Sequence, residues 1–304
     1  NEFLHNPAQS GPASGNYPTN SANPLYEDIK DDQRVRSVAT ALNALESRGL
    51  QIGSDFELIE SARKLSNNEY TLNEQLGYIS LNSNLRSDEV LAVAFQMEVN
   101  GEPKTVGEIT SNGSDASNSL IVKLLKPTSF SPKHKTWDLM MKNVYSIGAY
   151  QVNSDEFDLH IMYRNDQTGT PVNYISEGAI DGTILLRVMN LDNVNKQLDP
   201  YPDGRFDFIN NITIRPNNGR IIFPVREPFG SHLREKITEG NPSLDNIAEK
   251  YVFEELYDST KSTAQQMAEK NKFFFEGKYK SSTGSEISLN AINIPEGSVK
   301  VTAG

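Results

Sequence analysis

The chain has no cysteine, so neither a disulfide framework nor a thiolate metal site can form. It has no run of about 18 apolar residues, the length a bilayer-crossing helix needs. Its four histidines, His5, His134, His160 and His232, are scattered, and no H-E-x-x-H occurs. Zinc-hydrolase chemistry therefore has no local support. G-x-S-x-G, G-x-G-x-x-G and G-x-x-x-x-G-K-[ST] are missing too, which removes the nucleophile elbow and the phosphate-cradling loops. Basic residues are the minority, 29 Lys and Arg against 40 Asp and Glu, for a net charge of −11. Such a surface does not neutralise phosphates, so nucleic acid is not an expected partner, nor is an anionic membrane surface. No catalytic constellation emerges, and the expectation is a protein that is not an enzyme.

What is present is enough apolar sequence for a sizeable core. Hydrophobic residues make up 37% of the 304 residues and fall in periodic runs. Residues 1–24 are rich in Asn, Pro, Ser and Gly and predict an extended arm. The spacing of Val35, Val38, Ala41, Leu42 and Leu45 predicts one helix over 32–48, stopped at Gly49. A second short helix is expected around Phe56, Ile59 and Ala62. Strands are expected at 70–72, 78–81 and 90–99, the last followed by the hairpin signal Asn100-Gly101 and a return strand over 104–109. A short apolar run covers 120–125. The alternation of Phe157, Leu159, Ile161 and Tyr163 with polar neighbours predicts a strand wet on one face, with His160 on the solvated side.

Further strands are expected at 183–188, 206–209, 212–214 and 220–225, with Asn217-Asn218-Gly219 as a turn. Helices follow at 243–256 and 262–270, then strands at 273–279, 286–292 and 298–301. The expected fold class is α+β and strand-dominated: antiparallel, sandwich-like sheets with helices clustered near 30–65 and 243–270. The expected organisation is an arm over 1–29, an α+β subdomain over 30–135, a β-rich subdomain over 136–235, and a helical excursion returning to strands over 236–304. Both chain ends read as internal to a longer protein.

The most distinctive polar stretch runs D-N-V-N-K-Q-L-D-P-Y-P-D-G-R-F-D over residues 192–207. Asp192, Asp199, Asp203 and Asp207, with Asn195 nearby, offer hard oxygen ligands, the set Asp199, Asp203 and Asp207 being the candidate calcium ligands, and Gly204 permits a tight turn. The spacing is not that of an EF-hand. The competing reading is a Pro/Gly turn whose aspartates accept local backbone hydrogen bonds. Trp137 and scattered tyrosines offer a sugar platform or core packing. A surface carbohydrate- or calcium-binding β-sandwich module is therefore the alternative class.

Two long stretches carry a family resemblance. One is Leu139-Met140-Met141-Lys142-Asn143-Val144-Tyr145-Ser146-Ile147-Gly148-Ala149-Tyr150. The other is Tyr201-Pro202-Asp203-Gly204-Arg205-Phe206-Asp207-Phe208, continuing through Asn218-Gly219-Arg220-Ile221-Ile222-Phe223-Pro224-Val225 to Glu227-Pro228-Phe229-Gly230. Supporting stretches lie at 61–65, 76–82, 88–94, 279–282, 285–290 and 294–299. Together they resemble the SprA/Sov family, the outer-membrane translocon of the Bacteroidetes type IX secretion system, over residues 30–304.

The resemblance implies a piece of a very large single-chain β-barrel that exports folded proteins and in some members supports gliding motility. Its implied partners are other type IX secretion components, secreted cargo and the rest of the parent barrel. It brings no catalytic motif and no cofactor. Barrel-wall strands need about 9–11 residues; only 90–99 has that length, so the segment is expected to be a cap, lumen or rim insertion. Long insertions favour the extracellular side of a Gram-negative outer membrane. The residues singled out as its rigid framework are Asp203, Gly204, Phe206, Asp207, Gly219, Pro224, Pro228, Phe229 and Gly230. The prolines constrain the chain where it leaves the strand near Val225, and the glycines suit turns.

Overall fold

The computed structural model describes residues 19–74, 76–109, 118–166 and 168–280, together with the backbone of a strand at 286–291. The protein is α+β and strand-rich, with several small antiparallel sheets and few helices. It divides into two compact units, residues 1–140 and 141–304. Among the described residues no helix is long and apolar enough to cross a membrane.

The first unit opens with α1 (Pro24–Ile29), where an extended arm was expected. Asn23 accepts the Tyr26 N–H at 3.2 Å and Pro24 fills the first turn, a local start signal that outweighs the polar composition. The single helix expected over 32–48 is two, α2 (Gln33–Arg36) and α3 (Ala41–Glu46). Ser37 between them is extended and bridges Asn118, and the Thr40 hydroxyl donates to the Arg34 carbonyl at 2.6 Å. The Thr40 hydroxyl competes for backbone, and the backbone bridge at Ser37 draws the chain out between the two helices. Val35, Ala44 and Leu45 are buried with Ile29, while Val38 of the expected stripe is exposed. No helix forms around Phe56, Ile59 and Ala62; the Asp55 carboxylate accepts the Gln51 N–H instead, at 3.0 Å.

Strands β1 (Tyr70–Asn73) and β2 (Tyr78–Leu81) pair as expected. The expected strand over 90–99 is broken at Ala94 into β3 (Leu91–Val93) and β4 (Phe95–Val99). β4 pairs with β5 (Glu102–Val106) through the Asn100-Gly101 turn, while β3 pairs with β6 (Lys123–Lys126). Gly107, at φ +70°, lies so close to Ala94 that a Cβ there would sit 3.0 Å from the alanine Cβ. Beside it Glu108 accepts two hydrogen bonds from Arg36, both at 2.6 Å, and the Ile121 N–H at 2.9 Å. Burial pushes its carboxyl up, and Arg36 and the N–H together outweigh that and hold it below the usual range.

The second unit holds most of the buried apolar side chains. β8 (Asp158–Arg164) is central in the sheet β13–β12–β8–β9, with β9 at Pro171–Val172, β12 at Phe273–Lys280 and β13 at Glu286–Ala291. Leu159, Ile161 and Tyr163 point inward and His160 outward, as the alternation predicts. A second sheet joins β10 (Ile214–Arg215), β11 (Arg220–Ile222) and β7 (Val144–Ser146). The stretch at 183–188 was expected as a strand; its last four residues form helix α4 (Leu185–Val188), which buries Leu185, Leu186 and Val188 and leaves Arg187 exposed, because a short apolar run suits either conformation. Residues 206–213 form no strand but an irregular turn tied by Thr213, whose hydroxyl donates to the Asp207 carbonyl and accepts the Ile209 N–H. The expected strand at 298–301 and the arm over residues 1–18 lie outside the described residues.

Helix α5 (Ser231–Thr238) had no counterpart in the sequence reading. The expected helix over 243–256 is α6 (Asp245–Tyr251) and α7 (Glu255–Asp258), separated by extended Val252; α8 follows at Lys261–Gln266. Between these elements Tyr145, Phe223, Phe229, Phe273 and Phe275 form an aromatic cluster with centroid spacings from 4.9 to 6.4 Å. Two buried hydroxyls thread it. The Phe229 N–H donates to the Tyr257 hydroxyl at 2.9 Å, Tyr257 lies 3.0 Å from Tyr145, and Tyr145 donates to the Lys142 carbonyl at 3.1 Å. Gly230 makes room for this, since a Cβ there would meet the Tyr257 ring at 2.8 Å.

Gly219 closes the β10–β11 hairpin at φ +56°, and a Cβ would meet the Ala149 carbonyl oxygen at 2.2 Å. Gly204 is equally left-handed, at φ +81°, but has open space around it. Gly219→Ala is expected to cost about 2–4 kcal/mol, because backbone must move as well as strain. Gly204→Ala should cost about 1 kcal/mol, the conformational term alone. Urea unfolding of the two variants separates them; equal losses would contradict the close approach at Gly219.

Candidate functional site

The candidate site is the loop over residues 192–207, which combines the acidic stretch with part of the family signature. Its two roots are held where the chain leaves the core. Leu191 and Phe206 are buried, and the Asp207 N–H donates to the Leu191 carbonyl at 2.8 Å. The next residue on one root, Asp192, is 0% exposed. One of its oxygens accepts Arg187 of α4 at 2.9 and 3.2 Å. The other accepts the backbone N–H groups of Asp203 and Gly204, at 3.0 and 3.1 Å. A buried ionised carboxylate is tolerated only when paired and hydrogen-bonded, and Asp192 has both.

Asp207 mirrors it from the other root. Its oxygens accept the N–H of Asn193 at 2.7 Å and of Val194 at 3.3 Å. Burial pushes its carboxyl above the ordinary aspartate value; the two N–H donors oppose this, and the charges of Asp192 and Asp203 add to it. With the folded pKa raised, proton uptake favours the folded state, so this group's own contribution to stability increases as pH falls through its midpoint.

Between the roots the loop is tied to itself. Asn195 accepts the N–H groups of Gln197 and Asp199 at 2.9 and 3.0 Å, and its amide donates to the Asp199 carboxylate at 3.0 Å. Asp203 accepts the Arg205 N–H at 3.1 Å. Leu198 is held at φ 65°, a region that costs a non-glycine residue about 1 kcal/mol. Leu198 is 63% exposed and Tyr201 75% exposed.

Among the described residues no three His, Asp or Glu side chains converge on a metal-sized site. Asp199, Asp203 and Asp207 do not form a shared cage, because each is turned to a different local donor. The other reading, aspartates closing a turn on their own backbone, describes what is found. The sequence reading grouped Asp192 with the other carboxylates as a possible oxygen ligand; in the structure Asp192 organises the loop. Its place directly after the buried Leu191 is the one local signal that it points inward.

The other framework residues are distributed, not gathered here. Phe206 packs edge-on against Phe157 at 5.5 Å. Pro228, Phe229 and Gly230 are buried beside the Tyr257 hydroxyl, and Pro224 is exposed just after β11. Near them the almost fully buried Lys142 side chain pairs with Glu227 at 3.1 Å. Burial pushes the Glu227 carboxyl up, but Ser231 and Lys142 outweigh it and hold it low. His160 lies 3.2 Å from Asp158 on the outer face of β8, and the His232 ring is tied to the Val188 carbonyl at 2.8 Å. Neither has a nucleophile or second histidine among its hydrogen-bond partners.

Asp192→Ala strands the Asp203 and Gly204 N–H groups and should cost about 3 kcal/mol. Asp199→Ala, on an exposed residue, should stay within about 0.5 kcal/mol. Calcium should leave the thermal midpoint of the purified chain unchanged. A midpoint raised by calcium and sensitive to Asp199 would reinstate a metal site. No protein-family model matches the chain, and no curated protein matches it in sequence.

Proposed function

We propose that this chain is a non-catalytic, structural segment of a large outer-membrane β-barrel that exports folded proteins, of the SprA/Sov kind, lying outside the barrel wall as a cap, lumen or rim insertion. The family class rests on the sequence stretches quoted above. The observation that carries the placement is strand length: the strands named here run from two to eight residues and are divided among small sheets. A barrel wall needs about 9–11 residues per strand in one closed sheet.

The site supports the non-catalytic part of the reading. A general acid, base or nucleophile needs a free proton-transfer position. The buried carboxylates of the 192–207 loop are occupied by backbone N–H groups and Arg187. Such a segment acts by shape and charge, obstructing or lining the opening and presenting fixed loops to what passes or docks. Its acidic balance weakens adhesion to anionic headgroups. Placement on the extracellular side follows from the habit of outer-membrane barrels, whose long insertions lie outside.

The loop over 165–169 is solvent-facing at Asp166, Thr168 and Gly169 and is a suitable position for a protease-cleavable tag. In intact cells carrying the full-length protein, a tag between Thr168 and Gly169 should be cut by external protease. Protection until the outer membrane is opened would move the segment to the periplasmic face or lumen. Absence of the tagged protein from the outer-membrane fraction would contradict the reading altogether.

A further inference from the structure

We propose that Asn100 is a site of self-modification, at which the Gly101 backbone nitrogen displaces the Asn100 side-chain amide to give a succinimide that water opens to aspartate or isoaspartate. This goes beyond the barrel reading and stands without it. In the first step hydroxide takes the Gly101 N–H proton and the nitrogen bonds to the Asn100 Cγ. The Cγ–Nδ2 bond breaks, and ammonia leaves with a proton taken from water, which restores the hydroxide. Water then adds to one of the two ring carbonyls and the ring opens. Water is the only reagent consumed.

Five positions place an Asn or Asp directly before glycine, the neighbour that hinders ring closure least. Asn112-Gly113 lies outside the described residues. At the two Asp-Gly turns the attacking nitrogen is already engaged. The Gly182 N–H donates to the Ile175 carbonyl at 3.2 Å, and the Gly204 N–H to the buried Asp192 carboxylate at 3.1 Å. At Asn218-Gly219 the turn is held in place. A Cβ on Gly219 would sit 2.2 Å from the Ala149 carbonyl oxygen, and the Gly219 carbonyl accepts the Ile147 N–H at 2.9 Å. The Asn218 side-chain oxygen is enclosed as well. Ring closure swings the glycine nitrogen towards the side chain, so these contacts would have to break first.

Asn100-Gly101 has none of these restraints. Both residues are exposed at the tip of the β4–β5 hairpin, at φ 54° and 81°. A Cβ on Gly101 would meet nothing within 4 Å, and the Gly101 N–H has no acceptor among the described residues. The site also matters to its surroundings. Isoaspartate adds a methylene to the backbone at the turn that sets the register from Val99–Glu102 to Phe95–Val106. These two strands pair with each other alone, and a two-stranded sheet has little reserve against such a change. Either product adds one negative charge to the hairpin tip.

The test is peptide mapping of the purified chain after incubation in mildly alkaline buffer, once folded and once in concentrated urea. Asn100, Asn112 and Asn218 fall on separate tryptic peptides, which end at Lys104, Lys123 and Arg220. In the folded chain Asn100 should convert at least about tenfold faster than Asn218, the ratio produced by ~1.4 kcal/mol of extra barrier at the held turn. In urea, where both are Asn-Gly pairs in open chain, the two rates should come together. Three results would overturn the proposal. One is Asn218 converting as fast as Asn100 in the folded chain, and another is Asn100 persisting when folded while it converts in urea. The third is a gap between the two that survives in urea, which would trace the selectivity to flanking residues and not to the fold.

Discussion

Taking an ionised carboxylate out of water is among the costliest things a fold can do, and the second unit does so twice within sixteen residues, at Asp192 and Asp207. Each charge is tolerated because it accepts more than one hydrogen bond from groups that are fixed already. Arg187 supplies the opposite charge to Asp192 from α4, and backbone N–H groups supply the rest. The dependence runs both ways. The turn at Asp203 and Gly204 has its N–H groups satisfied only if Asp192 is present, and Asp192 is buried at acceptable cost only if that turn is formed. Such mutual requirement gives the loop one conformation in place of many.

The clasp in turn depends on the core beneath it. Leu191 and Phe206, immediately preceding the two aspartates, are anchored in the same apolar cluster as β8 and the aromatic side chains of the 223–229 segment. Sheets as small as β10–β11–β7 and β13–β12–β8–β9 do not hold a unit together by pairing alone. What joins them is packing across the Phe223, Phe229 and Phe275 rings, with the Tyr257 and Tyr145 hydroxyls satisfying polar backbone groups inside that layer. The first unit has a smaller buried cluster and relies visibly on polar ties, chiefly the Arg36–Glu108 pair that joins α2 to the chain beyond β5.

Where one period dominated, the sequence was readable. The alternation from Phe157 to Tyr163, the Asn100-Gly101 hairpin and the Asn217-Asn218-Gly219 turn all name their own conformation. It was not readable where tertiary context decides. Leu185, Leu186 and Val188 are buried and became a helix, with Arg187 on its outer side; the split of the helix at Ser37 depends on a bridge to Asn118, far along the chain. The acidic stretch was legible as a special turn, but not its internal roles. Which aspartate is buried follows from the buried Leu191 and Phe206 that precede the two roots, and composition treats all four alike. That is why composition leaves calcium ligation and backbone capping both open. Helix α5 went unread because it starts at Gly230 without a side-chain cap, so no start signal marks it.

A protein segment that works by shape needs its exposed loops held as firmly as its core, and the account rests on Asp192 and Asp207 doing so for the 192–207 loop. Native-state hydrogen exchange at the amides of Asn193, Val194, Asp203 and Gly204 measures this directly. If the clasp is as described, these four amides exchange only through the same large opening that exposes Leu159 and Ile161, orders of magnitude more slowly than free peptide. Exchange of the four at near-peptide rates, with the β8 amides still protected, would show a loose loop and contradict the account.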